Sequence, residues 1–138
     1  MTSTRRISAL QVLQWLGLAF VFLWFFIGGI AHFAFTETEM RIVPPSIPWP
    51  RATVLVSGVF ELLGAVGILI PATRRAAGVG LFILTIAVTP ANVYMLQHAE
   101  LFKMSPLALQ LRLVVQVLLL ALILWSTWNP VSRRAQAA

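Results

Sequence analysis

Cysteine is absent from the chain, and charged residues are scarce. Without a thiol, the chain cannot carry a disulfide or a dithiol redox mechanism on its own residues. Charged residues make up 10% of the 138 residues, whereas an ordinary soluble domain contains roughly 25%. The ten basic residues give a net charge of +6, but they occur singly and in pairs and form no contiguous basic face. We therefore expect neither an ordinary soluble domain nor a nucleic-acid-binding protein.

Recognised catalytic motifs are missing as well. The chain has no nucleophile triad, no phosphate-binding loop and no spaced metal motif. A metal or haem site would need His32 and His98, the only two histidines, and two histidines alone are a weak ligand set. No metal is therefore predicted. Whether the protein is an enzyme stays open, and any redox chemistry requires an electron carrier other than a thiol of this chain.

Apolar residues dominate instead, at 59% of the chain with a mean hydropathy of +0.90. Four apolar runs are each long enough to cross a bilayer, which takes about 20 helical residues. They cover approximately residues 10–35, 53–70, 76–96 and 107–128. A cleaved signal peptide would have a much shorter apolar segment than the first run. The sequence therefore predicts an all-α, integral membrane four-helix bundle that forms a single domain over residues 1–138.

Arginine pairs indicate the orientation of this bundle. An even number of crossings separates them, so that all three pairs lie on the same side of the membrane. The pairs are Arg5 with Arg6, Arg74 with Arg75, and Arg133 with Arg134. The positive-inside rule places that side in the cytoplasm. We therefore expect cytoplasmic N and C termini and a multi-pass protein of the bacterial inner membrane.

The connection between the first two spans has features of its own. Thr36 and Glu39 have the spacing of a capping box, which predicts a short helical turn. Four prolines follow and favour an extended chain. They are Pro44, Pro45, Pro48 and Pro50. The segment is interpreted either as a lid or as a simple rigid loop.

Polar side chains inside the predicted spans are the candidate functional residues. A charge within a membrane helix costs at least ~2.5 to 3.5 kcal/mol on insertion scales, so each such residue requires an explanation. The candidates all fall in the outer half of the membrane, on helix faces that also carry small or polar residues. They are His32, Glu61, Asn92, Arg112 and Gln116. We expect one polar cluster at the bundle axis, open toward the outer side and closed below by apolar residues, with a kink at Pro90.

Two kinds of role are possible for these five residues. All five are candidates for ligand binding, and Glu61 and His32 are the candidates for proton transfer. Glu61 and Arg112 could instead form a structural ion pair, and Asn92 and Gln116 could simply join helices by hydrogen bonds. Burial favours a neutral Glu61, whereas a close Arg112 favours the ionised form. A tight pair would leave His32 as the better proton carrier.

Several motifs in this order resemble the DoxX-like family of small four-helix membrane proteins. They are "GGIAHF" (28–33), "IVPPSIPWP" (42–50), "SGVFELLGAVGILIPATRRAAGVGL" (57–81), "TPANVYM" (89–95) and "LRLVVQ" (111–116). The resemblance covers nearly the whole chain. It implies a four-helix bundle and, in some relatives, a link to membrane redox complexes that involve quinone. Other relatives are similar to assembly or cargo factors, so the resemblance leaves the activity open.

The leading hypothesis is a subunit of a membrane redox system that binds a quinone or another lipophilic small molecule in the polar cluster. Its partners would be the lipid bilayer and a redox enzyme. In this hypothesis Arg112 and Asn92 polarise an oxygen of the ligand, and Glu61 or His32 handles protons. The first alternative is a non-catalytic scaffold or assembly factor with a structural cluster. A transporter or channel is a third possibility. Against it, the chain has no evident inverted repeat, and it has only one polar cluster unless it forms a homo-oligomer.

Overall fold

The computed structural model describes residues 7–128. The arginines at positions 5, 6, 133 and 134 lie outside these described residues. Between Ile7 and Trp128 the chain forms seven helices and no strand. The helices are α1 (Ala9–Ala34), α2 (Thr36–Met40), α3 (Pro50–Leu69), α4 (Arg74–Ala87), α5 (Thr89–Gln97), α6 (Ala99–Phe102) and α7 (Pro106–Trp128). The predicted all-α architecture is confirmed.

Four segments are long and apolar enough to cross a membrane: α1, α3, α4 together with α5, and α7. They agree with the four predicted spans to within three residues at each end. Neighbouring segments pack in antiparallel pairs around a ring, in which α1 lies between α3 and α7, and α4 also lies between α3 and α7. The bundle therefore has one end next to α2 and α6, the α2 end, and one end at the turn between α3 and α4, the turn end.

The apolar core fills the bundle toward the turn end. It is formed by side chains from all four long segments: Leu18, Val21, Phe25, Ala65, Ile68, Leu81, Leu119 and Ile123. Large apolar side chains also cover the outside of the bundle, where more than thirty of them are exposed. A bundle that is apolar both inside and outside has the surface expected of a membrane protein.

Helix boundaries follow local chemistry. Ser8 begins α1 with a capping box, in which its Oγ accepts a hydrogen bond from Gln11 N at 3.2 Å and its N–H donates to Gln11 Oε1 at 2.8 Å. Pro50 begins α3, three residues before the predicted start. The prediction that Pro50 is part of an extended segment is therefore wrong, because proline lacks the amide hydrogen that the first helical turn leaves unpaired.

The turn between α3 and α4 is held by an arginine. Arg74 is buried, with Nε 2.7 Å from Ile68 O and Nη2 3.3 Å from Leu69 O. Its guanidinium also lies 5.4 Å from the centre of the Trp15 ring. Carbonyls at the end of α3, which have no partner within the helix, are thereby satisfied. Arg74 thus has a structural role in addition to the topological signal that the sequence predicts for it.

The third span is interrupted at Val88, between α4 and α5, two residues before Pro90. This is the predicted effect of a proline, which cannot donate to the carbonyl four residues earlier. Gln116 and Thr89 donate to the carbonyl of Thr85 at 3.3 and 3.4 Å. Asn92, two residues after Pro90, makes its side-chain hydrogen bonds with Gln116 and Arg112. Beyond the interruption, α5 packs mainly against α7.

The connection between α1 and α3 contains the predicted helical turn, α2, but not the predicted capping box. Only Phe35 separates α1 from α2, so that Thr36 Oγ1 reaches back and donates to His32 O at 2.7 Å. The hydroxyl thereby serves the last turn of α1 instead of the first turn of α2. Residues 41–49 form turns rather than an extended segment, with Ile47 N donating to Pro44 O at 2.9 Å.

Candidate functional site

A cavity of about 800 Å³ lies within the bundle, toward the α2 end. Cavities of roughly 300 to 1,000 Å³ are typical of small-molecule sites. Most of the side chains that line it are apolar. The lining also includes all five polar residues that the sequence singles out: His32, Glu61, Asn92, Arg112 and Gln116. The structure therefore brings the five predicted residues to one cavity, although not into a single cluster.

Two of the five form one wall, at the contact between α1 and α3. His32 Nε2 lies 3.3 Å from Glu61 Oε1. The two side chains are only 16% and 12% exposed. An ionised carboxylate at this depth would be costly if it had no partner, and His32 is that partner. The other ring nitrogen, His32 Nδ1, is buried and has no hydrogen-bond partner.

Two glycines make room for this pair. A Cβ added to Gly28 would lie 2.7 Å from Glu61 Oε2, and a Cβ added to Gly58 would lie 2.8 Å from His32 Cβ. Each helix therefore has a glycine opposite the polar side chain of the other. Small residues at such positions let two membrane helices approach closely. The His32–Glu61 contact depends on this reciprocal arrangement of Gly28 and Gly58.

Three of the five form the opposite wall, on α5 and α7, as a chain of hydrogen bonds. Arg112 Nε donates to Asn92 Oδ1 at 2.8 Å, and Asn92 Nδ2 donates to Gln116 Oε1 at 2.5 Å. Gln116 Nε2 then donates to Thr89 Oγ1 at 2.5 Å and to Thr85 O at 3.3 Å. Asn92 and Gln116 are buried. The side-chain amide of each residue acts both as a donor and as an acceptor. This wall therefore holds Arg112 in a defined position.

The ion pair between Glu61 and Arg112 that the sequence left open is not formed. Across residues 7–128, the acid–base contacts within 4.0 Å are His32 with Glu61 and Arg51 with Glu37. Glu61 instead lies against Gly28 and His32 on one wall, and Arg112 is bound to Asn92 on the other. The structure records no acceptor for the two terminal nitrogens of Arg112 among the described residues, and the side chain is exposed. Arg112 therefore presents free hydrogen-bond donors at the cavity.

The cavity is closed at both ends of the bundle axis. Toward the turn end, Phe25 and Leu119 belong both to the cavity lining and to the apolar core. At the α2 end, the proline-containing connection covers the cavity with four half-buried side chains. They are Ile42, Val43, Pro44 and Ile47. This placement favours the interpretation of the connection as a lid. The prediction that the polar residues are open toward this end is therefore wrong, because the connection folds over them.

One acidic residue that lines the cavity is not among the five candidates that the sequence predicts. Glu39 lines the cavity, whereas its neighbour Glu37 points outward and pairs with Arg51 at 2.8 Å. Glu39 follows His32 by seven residues, which is two helical turns. Because α2 continues almost directly from α1, this seven-residue separation could have predicted that Glu39 lies on the same face as His32. Glu39 brings a second carboxylate to the side of the cavity on which Glu61 lies.

Metal binding finds no support in the geometry. Within the described range 7–128, no three His, Asp or Glu side chains lie close enough together to hold a metal ion. His98, the second histidine considered for such a site, does not line the cavity. Its Nδ1 lies 3.0 Å from Tyr94 O, and its ring packs against the Tyr94 ring with centres 4.4 Å apart.

Replacing Gln116 with alanine is expected to destabilise the bundle, because Asn92 and the Thr85 carbonyl both lose a buried partner. Buried unpaired groups cost about 1 to 3 kcal/mol, and hydrogen bonds between membrane helices average about 0.6 kcal/mol. We expect the free energy of unfolding to fall by about 1 kcal/mol in a denaturant titration of the detergent-solubilised protein. Gln110→Ala is the matched control on α7, because Gln110 is exposed; an equal loss in both variants would contradict the structural role of Gln116.

The comparisons with known proteins give one match. The model of a family described as "Domain of unknown function (DUF8561)" matches residues 18–129, a range that includes both walls of the cavity and the lid. No curated protein and no solved structure matches the chain. Because the family model covers most of its length, the chain belongs to the family of the domain of unknown function DUF8561.

Proposed function

We propose that this protein binds a quinone or another lipophilic small molecule in its cavity, as a subunit of a redox system in the bacterial inner membrane. The four long apolar helices and the apolar outer surface support a position in the membrane. The three arginine pairs support cytoplasmic N and C termini. The resemblance of five motifs to the DoxX-like family supports the link to membrane redox complexes and quinone.

The observation that carries the proposal is the pair of facing polar walls in an otherwise apolar cavity of about 800 Å³. Binding sites for small molecules combine an apolar lining with a few polar groups that fix the orientation of the ligand. Here Arg112 offers free donors on one wall, and Glu61 lies on the other. A molecule with oxygen atoms at both ends of a ring offers one oxygen to the donors of Arg112 and the other to Glu61, which donates to it in its protonated form. A quinone has that form.

Each residue has a separate role in this proposal. Arg112 donates to one oxygen of the ligand, and Asn92 positions Arg112, because both ends of the Asn92 amide are already bonded. Glu61 faces the second oxygen and exchanges its proton with His32, with which it is in contact. Reduction of a quinone to a quinol takes two electrons and two protons. A redox enzyme partner supplies the electrons, and the Glu61–His32 pair passes on the protons.

The proposal is tested by equilibrium binding of decyl-benzoquinone to the full chain in lipid nanodiscs. Because quinones also dissolve in lipid, empty nanodiscs of the same composition are the reference. We expect saturable binding that approaches one molecule per chain above the lipid background. Uptake that rises linearly and equals that of the empty nanodiscs would contradict the proposal.

A second candidate function is a non-catalytic scaffold or assembly factor, and one observation favours it. The hydrogen bonds of Asn92 and Gln116 join α4, α5 and α7 in the way expected of structural polar residues. In a scaffold, Glu61→Gln would weaken capture of a membrane partner together with bundle stability. If the protein instead binds quinone, the same variant would lower quinone binding more than it lowers bundle stability. Measuring both quantities on one preparation separates the two functions.

A further inference from the structure

The cavity has a side on which its lining residues are exposed. On α1 these are Phe20, Leu23, Trp24 and Ile27, which line the cavity and yet are 45% to 63% exposed. On α7, Val115 lines the cavity and is 39% exposed. The side chains on α3 that line the cavity are buried or half-buried. The cavity therefore opens between α1 and α7 and is closed on the side of α3.

The packing of α1 against α7 explains this opening. The two helices meet near the turn end, where Gln14 Nε2 donates to Ser126 O at 3.4 Å and Gly17 packs against the Trp125 ring. Toward the α2 end, α1 packs on α3 through Gly28 and Gly58, while α7 packs on α5. Each helix thus pairs with a different neighbour at this end. A gap between α1 and α7 is the consequence.

We infer that this gap is a portal to the lipid through which the cavity holds an amphiphile, with its polar head between Glu61 and Arg112 and its apolar chain between α1 and α7. The inference rests on the proposed function and adds the class and orientation of the ligand. The portal is defined by Phe20, Leu23, Trp24, Ile27 and Val115. Its five side chains are apolar except for the indole N–H of Trp24. The rings of Phe20 and Trp24 lie 5.8 Å apart along one edge.

The shape of the cavity favours this orientation. The route along the bundle axis is covered by the lid, whose side chains Ile42, Val43 and Ile47 are half-buried, and the opposite end is closed by the core. From Ala31 beside the polar walls to Phe20 at the far edge, the lining of α1 extends for roughly 16 Å. A ring with a single long chain fits such a site, because the chain leaves sideways at the depth of the lipid tails. A membrane-dissolved ligand then needs no passage through water.

The test uses the full chain in lipid nanodiscs and a decyl-benzoquinone that carries a photoactivatable diazirine at the end of its chain. Labelling that is competed by excess unlabelled decyl-benzoquinone defines the specific site, and mass spectrometry locates it. We expect the competed label on residues 20–27 of α1 and 112–119 of α7. Competed label on the lid, residues 42–47, would overturn the portal and leave ligand binding intact. Labelling that is never competed would overturn ligand binding itself, and the portal with it.

Two tryptophan variants provide a matched comparison. Ile27 and Ile30 are neighbours on α1 and are both exposed, but only Ile27 lines the cavity. Ile27→Trp fills the portal and is expected to lower competed labelling roughly tenfold, the scale of an overpacked contact. Ile30→Trp is expected to leave labelling unchanged. Equal labelling of the two folded variants would overturn the portal. Circular dichroism and the elution volume of each variant show that it is folded.

Discussion

Replacing Arg112 with alanine is expected to weaken the binding of decyl-benzoquinone roughly 10- to 100-fold, the range for hydrogen bonds to a charged group of about 1.5 to 3 kcal/mol. Arg112 carries the free donors of its wall, and Asn92 holds it in place at 2.8 Å. The measurement is equilibrium binding in nanodiscs. The bundle should stay folded, because the amides of Asn92 and Gln116 remain bonded to each other.

Two further variants make this prediction specific to the geometry of Arg112. Arg112→Lys keeps the charge but has no nitrogen in the Nε position that binds Asn92, so we expect an intermediate affinity. Lys103→Ala removes a positive charge from a residue that does not line the cavity. Its affinity should equal that of the unchanged protein. If Arg112→Ala also bound quinone with unchanged affinity, Arg112 would have no part in the site.

Replacing Gly78 with leucine is expected to have the largest effect on the fold. A Cβ at Gly78 would overlap Thr127 Oγ1, and the Thr127 side chain is buried where α4 meets α7. Overpacking typically costs about 1 to 3 kcal/mol, and we expect the upper end of this range here, which is a large part of the stability of a small protein. The measurement is the melting temperature in detergent, with the yield of folded protein as a second reading.

Gly80 provides the control on the same helix. A Cβ at Gly80 would meet no atom within 4 Å. We therefore expect Gly80→Leu to melt close to the unchanged protein, since replacing an unhindered helical glycine removes an unfavourable residue worth about 0.5 to 1 kcal/mol. Similar losses for the variants at positions 78 and 80 would contradict the α4–α7 packing that the structure describes. A normal melting temperature for Gly78→Leu would do the same.

The helices could be predicted closely because their signals are local. Long apolar runs place the spans within three residues of their observed ends, and Pro90 marks the interruption at Val88. Two predictions about helix ends were wrong, and each has a local cause. Thr36 has the spacing of a cap, yet its hydroxyl serves the previous helix. Pro50 starts α3 instead of stiffening the segment before it.

The partners of the polar residues could be predicted less well, because they depend on contacts between helices. Sequence periodicity gives the face and the depth of Glu61, and several polar residues lie at a similar depth. Glu61 contacts His32 instead of Arg112 because α1 and α3 approach each other closely at Gly28 and Gly58. Small-residue spacing predicts that helices approach, but it does not identify which side chain lies opposite each glycine. Glu39 was missed for a related reason, since only the close succession of α1 and α2 turns it toward the cavity.

The most direct test of the account is an experimental structure of the protein in lipid nanodiscs with decyl-benzoquinone. We expect density for the quinone ring between Glu61 and Arg112, with the His32–Glu61 contact preserved and the chain of the ligand leaving between α1 and α7. A closed cavity without density, in which Glu61 and Arg112 are in direct contact, would contradict it.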